Sequence, residues 1–249
     1  MNPQSPILSD DQIQRYWRDG FIYGLPVLTE KQMSIVRRKL EDLERNELNQ
    51  DPKRWSDPSY QPWTERGSPW WHWFQGMVRH PTIIGAATTL LGPNVLVRNA
   101  DIFIKPVNLE ETIQWHVDTT ANDTDADKML TAWLAITEST KKNGCMEWLP
   151  GSHRKPLPPE VKDKHSLSYG IESVKAIQKE PRAYNLLRPG ELSLHHFRIG
   201  HRSLYNRSNE PRIGLVIRFM ATDTPIAVAE SGKGTLVAGS NIPGHFKLE

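Results

Sequence analysis

His116 and Asp118 stand two residues apart in the run IQWHVDTTAN, residues 113–122. Positions i and i+2 of an extended strand point to the same face, so this imidazole and this carboxylate can reach one metal ion together. Two ligands do not define a metal centre, and the pair alone equally fits a structural hydrogen bond. A third ligand has to come from elsewhere. The single cysteine, Cys145, excludes an internal disulfide framework and a cysteine-rich zinc site. The search therefore falls on the other histidines. His72, His80 and His245 have loop-like surroundings, His165 lies in a polar connector, and His153 sits in the turn LPGSHR. His195, His196 and His201 remain, close together in ELSLHHFRIGHRSLYNRSNEPRIGLVIRF.

Ligands on a strand need a sheet, and the C-terminal two-thirds supply the pattern of one. Segments 95–107, 112–118, 129–137, 146–150, 183–187, 191–197 and 212–221 are short, rich in β-branched and aromatic residues, and separated by turn signals. Leu130, Ala132, Leu134 and Ile136 alternate with Thr131, Trp133, Ala135 and Thr137, the period of a half-buried strand. Helices are expected mainly in the N-terminal third. Ser9-Asp10-Asp11-Gln12 reads as a capping box opening a helix that stops near Gly20, with FIY (21–23) a short strand after it. Thr29-Glu30-Lys31-Gln32 is a second box, and Met33, Val36, Leu40 and Leu43 behind it form one apolar stripe.

Residues 51–75 carry Trp55, Trp63, Trp70, Trp71 and Trp73 with little periodicity, and read as a long ordered loop. Residues 81–92 predict a short helix closed by Gly92. The expected architecture is mainly β with N-terminal helices: an antiparallel sandwich or barrel buttressed by those helices. One domain over 1–249 would divide into a helical part to about 92, a β core over about 93–222 and a tail, 223–249. The Gly/Ser-rich character of that tail suggests a mobile flap or simple disorder.

Several pieces occur in an order that resembles a known family. They are Trp115-His116-Val117-Asp118, Asn143-Gly144, Pro150-Gly151-Ser152-His153, Gly190-Glu191, and His201-Arg202-Ser203 followed by Asn206, Ser208 and Arg212. Their order and spacing resemble the phytanoyl-CoA dioxygenase-like branch of iron(II)/2-oxoglutarate oxygenases. The resemblance covers the C-terminal two-thirds, and the paired N-terminal helices agree with it. It implies a double-stranded β-helix core of the jelly-roll or cupin-like kind. It also implies that His201, rather than His195 or His196, completes a catalytic Fe(II) site with His116 and Asp118. Two imidazoles and one carboxylate leave three coordination positions open, which suits non-haem iron oxygen chemistry. A structural zinc site would be closed by a fourth protein ligand.

In the family, 2-oxoglutarate chelates the iron, an arginine pairs with its distal carboxylate, and a serine hydrogen-bonds the same group. Arg212 and Ser203 match those positions, and a guanidinium fork suits a carboxylate. Lys105, eleven residues before His116, is a further candidate for an anion contact or simply a solvated strand-end lysine. The implied reaction uses O2, decarboxylates 2-oxoglutarate to succinate and CO2, and usually hydroxylates the substrate. Asp118 favours hydroxylation over halogenation, since related halogenases carry a small residue there. Desaturation, cyclisation or epimerisation would use the same ligand set.

The breadth of the family points to a small soluble metabolite of specialised, natural-product metabolism. Trp70, Trp71, Trp73 and Thr119 are candidate substrate contacts, with loop packing the alternative use of the tryptophans. Seven arginines against two glutamates over 182–218 are compatible with an anionic substrate, although 2-oxoglutarate itself is doubly charged. A non-catalytic cupin-like ligand-binding protein is the competing class, and it predicts a broken ligand set, whereas His116, Asp118, His201 and Arg212 are all present. A net charge of +2 without Lys/Arg runs argues against nucleic acid. No apolar stretch approaches the roughly 20 residues of a membrane span. The N-terminus shows no basic and apolar signal pattern, so a cytoplasmic monomer or homodimer is expected.

Overall fold

The computed structural model describes residues 7–49, 60–107, 112–119, 125–155, 159–163, 166–169, 175, 177–225, 232–242, 244 and 246–248. Trp55, Thr120, His165 and His245 lie outside them. Both capping boxes form. Gln12 donates its amide N–H to Ser9 Oγ and returns Oε1 to the Ser9 amide, opening α1 (Asp10–Asp19). Gly20 closes α1 at φ 88°, where a Cβ would lie 2.6 Å from His153 Nδ1, so the position demands glycine for both reasons. Thr29 caps α2 (Glu30–Leu43), and its stripe of Met33, Val36, Leu40 and Leu43 is buried.

The tryptophan-rich stretch is not one long loop. It contains α3 (Trp71–Val78), followed by α4 (Pro81–Leu91) with proline in its first turn. Trp70, Phe74, Met77 and Val78 are buried at i, i+4, i+7 and i+8, the stripe of an amphipathic helix. Aromatic residues of weak helix propensity masked that period.

The strands are β1 (Phe21–Pro26), β2 (Val95–Lys105), β3 (Ile113–Val117), β4 (Met129–Ala135), β5 (Met146–Trp148), β6 (Pro159–Asp163) and β7 (Ser166–Tyr169). They continue with β8 (Ala183–Tyr184), β9 (Glu191–His196), β10 (His201–Ser203), β11 (Arg212–Ala221), β12 (Gly232–Ala238) and β13 (Phe246–Leu248). A seven-stranded sheet runs β1-β9-β4-β11-β2-β12-β13, and a six-stranded sheet runs β6-β7-β3-β10-β5-β8. The two are not closed into one barrel. Apart from the parallel β12–β13 pair, their ladders are antiparallel. The tail expected to be a flap or disorder instead supplies β12 and β13, with β12 pairing along Val95–Val97 of β2. Its small residues hid a strand whose partner is remote in sequence.

Strand β4 corrects the half-buried expectation, because all seven of its residues are buried. Leu130, Ala132 and Leu134 join Ile213, Leu215 and Ile217 of β11 in a core shared with the helices. Trp133 and Ala135 face the other way, packing with Met146 and Trp148 of the second sheet. The alternation marks two interiors rather than an inside and an outside.

A buried histidine pair ties α1 to this framework. The His153 and His196 ring centroids are 4.9 Å apart. Nε2 of His153 donates to the Trp17 carbonyl at 3.1 Å, and His196 bridges the Arg198 amide and Asp127 Oδ1. Burial first, then the neighbouring imidazole, pushes His196 down to about 4. A folded pKa below the unfolded value gives stability that is complete above about 6.5 and declines as pH falls towards 4. Urea unfolding should therefore show stability dropping over that window, and His196→Gln should remove up to about 1.4 kcal/mol per pH unit of the slope.

Candidate metal centre and cofactor cavity

Neighbouring strands of the smaller sheet bring the two imidazoles together. His201 of β10 pairs in register with His116 of β3, and their ring centroids are 4.0 Å apart. Each ring is oriented by its own backbone: His116 Nδ1 lies 2.8 Å from the Gln114 carbonyl and His201 Nδ1 3.0 Å from that of Ile199. A carbonyl only accepts, so both Nδ1 atoms carry the proton and both Nε2 lone pairs are left for a metal. Burial is the main reason that both imidazoles are pushed down to about 4, which keeps them neutral near pH 7.

Asp118 follows the end of β3, with its amide held by the Phe197 carbonyl at 2.9 Å. Its two oxygens have different partners. Oδ2 accepts hydrogen bonds from Thr131 Oγ1 at 2.6 Å and His195 Nε2 at 3.2 Å. Oδ1 lies 4.0 Å from His201 Nε2 and 3.5 Å from the Arg218 guanidinium. Burial alone would raise this carboxyl, but Arg218, the His195 hydrogen bond and the imidazoles hold it well below the usual carboxylate range. One ligand atom from each of His116, Asp118 and His201 lies within 4.8 Å of the others, so small rotations would close the set on one ion. No fourth ligand joins this group among the described residues. Two neutral nitrogens, one ionised oxygen and open remaining positions fit Fe(II).

Thr131 was not singled out by the sequence, and His195 was weighed there only as an alternative third ligand. Strand register places them side by side, since Thr131 of β4 pairs with His195 of β9. Their hydrogen bonds leave Oδ1 as the oxygen available to a metal. Replacing Thr131 by valine, or His195 by glutamine, should loosen the carboxylate and weaken metal affinity by about 10- to 100-fold. Competition with a fluorescent chelator would measure that loss.

A cavity of about 80 Å³, open to solvent, runs between the sheets and carries His116, Asp118 and His201 on its wall. Arg212 and Ser203 also line it, each only 1% exposed. Arg212 Nε and Nη1 and Ser203 Oγ are buried with no hydrogen-bond partner among the described residues. Burial pushes the Arg212 guanidinium down to about 10, a sign of how poorly the protein alone solvates it. Its carbon lies 5.3 Å from the Trp133 ring centre. A Cβ on Gly214 would lie 2.1 Å from that indole, so glycine lets the ring rest against β11. A buried, unanswered guanidinium beside a free hydroxyl is a receptor for a carboxylate, which fits 2-oxoglutarate.

Other expected residues sit elsewhere. Lys105 is opposite Arg212 on β2, but its Nζ donates to the Leu204 carbonyl at 2.7 Å, and it does not line this cavity. Trp70 is buried in the helix-side core, Trp73 packs against that core, and Trp71 is half-buried. Neither these tryptophans nor the buried Thr119 is among the lining residues. Arg202, Arg218, Met146 and Trp133 are.

Residues 16–214 match the family model described as phytanoyl-CoA dioxygenase (PhyH). The chain belongs to that family. A probable alpha-ketoglutarate-dependent hypophosphite dioxygenase of Stutzerimonas stutzeri is 32% identical over 156 residues. That match covers 59% of this chain and only 52% of the relative, about half its length. Among solved structures, the apo form of the non-heme monooxygenase ThoJ superposes with a TM-score of 0.73 at 24% identity, covering 96% of this chain and 87% of that one. The non-heme alpha ketoglutarate dependent carbocyclase SnoK, from nogalamycin biosynthesis, gives a TM-score of 0.66 at 23% identity, covering 88% and 86%. These likenesses establish for this phytanoyl-CoA dioxygenase family member the cupin-like fold.

Proposed function

We propose that this protein is an Fe(II)- and 2-oxoglutarate-dependent oxygenase that hydroxylates a small metabolite, with His116, Asp118 and His201 as metal ligands. Arg212 carries the reading: a guanidinium 1% exposed, with two nitrogens unanswered, shares one cavity with the ligand set. A carboxylate-bearing cosubstrate satisfies it, and the intact His116, Asp118 and His201 set beside it argues against a non-catalytic cupin-like binder. Bound together, iron and 2-oxoglutarate would activate O2 for C–H oxidation, one oxygen atom leaving in succinate as the cosubstrate loses CO2 and the other entering the substrate.

The chain's own residues do the positioning. The Gln114 and Ile199 carbonyls fix the imidazole tautomers, Thr131 and His195 fix the Asp118 oxygen that stays free, and Arg212 with Ser203 holds the distal carboxylate. Asp118 occupies the position that halogenases leave to a small residue, which favours hydroxylation. The likeness to a carbocyclase shows that the fold accommodates other outcomes. Natural-product metabolism is supported by that same neighbour, and an inorganic or small anionic substrate by the hypophosphite-oxidising relative. Adding Fe(II) and 2-oxoglutarate without oxygen should produce a visible metal-to-ligand charge-transfer band. A folded protein without that band would refute the assignment.

A further inference from the structure

Three arginines line the cavity, and they differ in what already holds them. Arg202 is committed: its Nε lies 2.9 Å from Glu147 Oε2, and its guanidinium carbon is 4.8 Å from the Trp115 ring centre. Arg212 is sealed at the closed end. Arg218 sits at the open end with 32% of its side chain exposed, and its hydrogen-bonding contact is Asp118 Oδ1 at a long 3.5 Å.

Asp118 does not need that contact for its orientation, because Thr131 and His195 already clamp the other oxygen. A divalent ion on Oδ1 would claim the charge that Arg218 now faces. The next carboxyl of opposite sign, Asp101, is a poor replacement. Its oxygens accept from Gln61 Nε2 at 2.6 Å and Trp63 Nε1 at 3.2 Å, and burial pushes it up to about 7. Register separates the two cationic ends. Arg218 shares a rung with Thr131 and His195, at the level of the metal ligands. Arg212 lies six residues along the same strand, about 20 Å away at full extension.

We propose that Arg218 is the receptor for an oxyanion group of the primary substrate, a carboxylate, phosphinate or sulfonate, which it holds beside the metal position. The substrates are then small anions. The proposal rests on the iron/2-oxoglutarate reading of the cavity, and its test separates the two. Anaerobic protein with Fe(II) and saturating 2-oxoglutarate is titrated at constant ionic strength with acetate, hypophosphite or methanesulfonate, and with neutral acetamide for comparison. The charge-transfer band reports each addition.

At least one oxyanion should shift the band saturably in the parent protein, and acetamide should not. Arg218→Gln should weaken that oxyanion by 30-fold or more while keeping the band. Arg218→Lys keeps the charge without the fork and should weaken it by about 3- to 10-fold, which preserves the test should the glutamine variant not fold. Arg202→Gln should stay within twofold of the parent. Equal binding by Arg218→Gln, an equal loss in Arg202→Gln, or no oxyanion response in a parent protein that shows the band would overturn the proposal alone. Loss of the band in Arg218→Gln would make the residue a support for Asp118 and overturn it as well. Absence of the band from the parent protein would overturn the cofactor reading and this proposal together.

Discussion

An Arg212→Ala variant should bind Fe(II) like the parent protein and 2-oxoglutarate at least about 30-fold more weakly. The size follows from burial. Truncating one side of a buried, hydrogen-bonded charge pair costs about 2–5 kcal/mol, because the carboxylate left behind has no partner and no water. Arg212 is 1% exposed, and no carboxylate among the described residues pairs with it, so nothing nearby can take over. Iron should be unaffected, since the metal ligands lie on β3 and β10 and at the end of β3, not on β11. Calorimetric titration of 2-oxoglutarate against metal-loaded protein reads the first half, and chelator competition reads the second. Unchanged cosubstrate affinity would refute the role given to this arginine. Removal of the guanidinium should also leave the fold stable or stabilise it slightly, because an unpaired buried cation is itself unfavourable.

His201→Ala should abolish succinate formation to below about one part in a thousand of the parent rate, with the charge-transfer band lost. His201 is 5% exposed, and its one side-chain hydrogen bond among the described residues orients the ring through Nδ1. The substitution therefore removes a ligand and leaves a cavity of one imidazole rather than breaking a structural network. His195 offers a useful contrast. Its ring centroid is 5.0 Å from that of His201, but its Nε2 is engaged by Asp118 Oδ2. If His195 were the true third ligand, His201→Ala would keep the band and His195→Gln would lose it. The expected order is the reverse: His195→Gln weakens metal binding, and His201→Ala ends it.

Local signals in the sequence carried as far as elements whose patterns close within a few residues. Both capping boxes, the α2 stripe and the chemistry of the His116–Asp118 pair were legible because each depends only on neighbours a few positions away. β10 has three residues, too few for any period, so His201 could be placed only through a resemblance. Thr131 and His195 are ordinary strand residues until β4 and β9 pair, and only that long-range register turns them towards Asp118. The same holds for β12, whose partner β2 lies far back in the chain. The α3 stripe was present in the sequence but was written in tryptophan, phenylalanine and methionine, which advertise a packed loop as readily as a helix.

Strand β11 presents Arg212, Val216 and Arg218 to the cavity and Ile213, Leu215 and Ile217 to the core beneath the helices. Every functional position on it is thus counted by parity. Insertion or deletion of one residue would exchange the two sets, sending guanidinium groups into the apolar core and aliphatic chains to the metal. Even a two-residue change, which restores parity, would move Arg212 by about 7 Å relative to the ligands on the facing sheet. Descendants of this chain can therefore vary the letters along β11, but not their number, and changes of length should collect in the turns at either end.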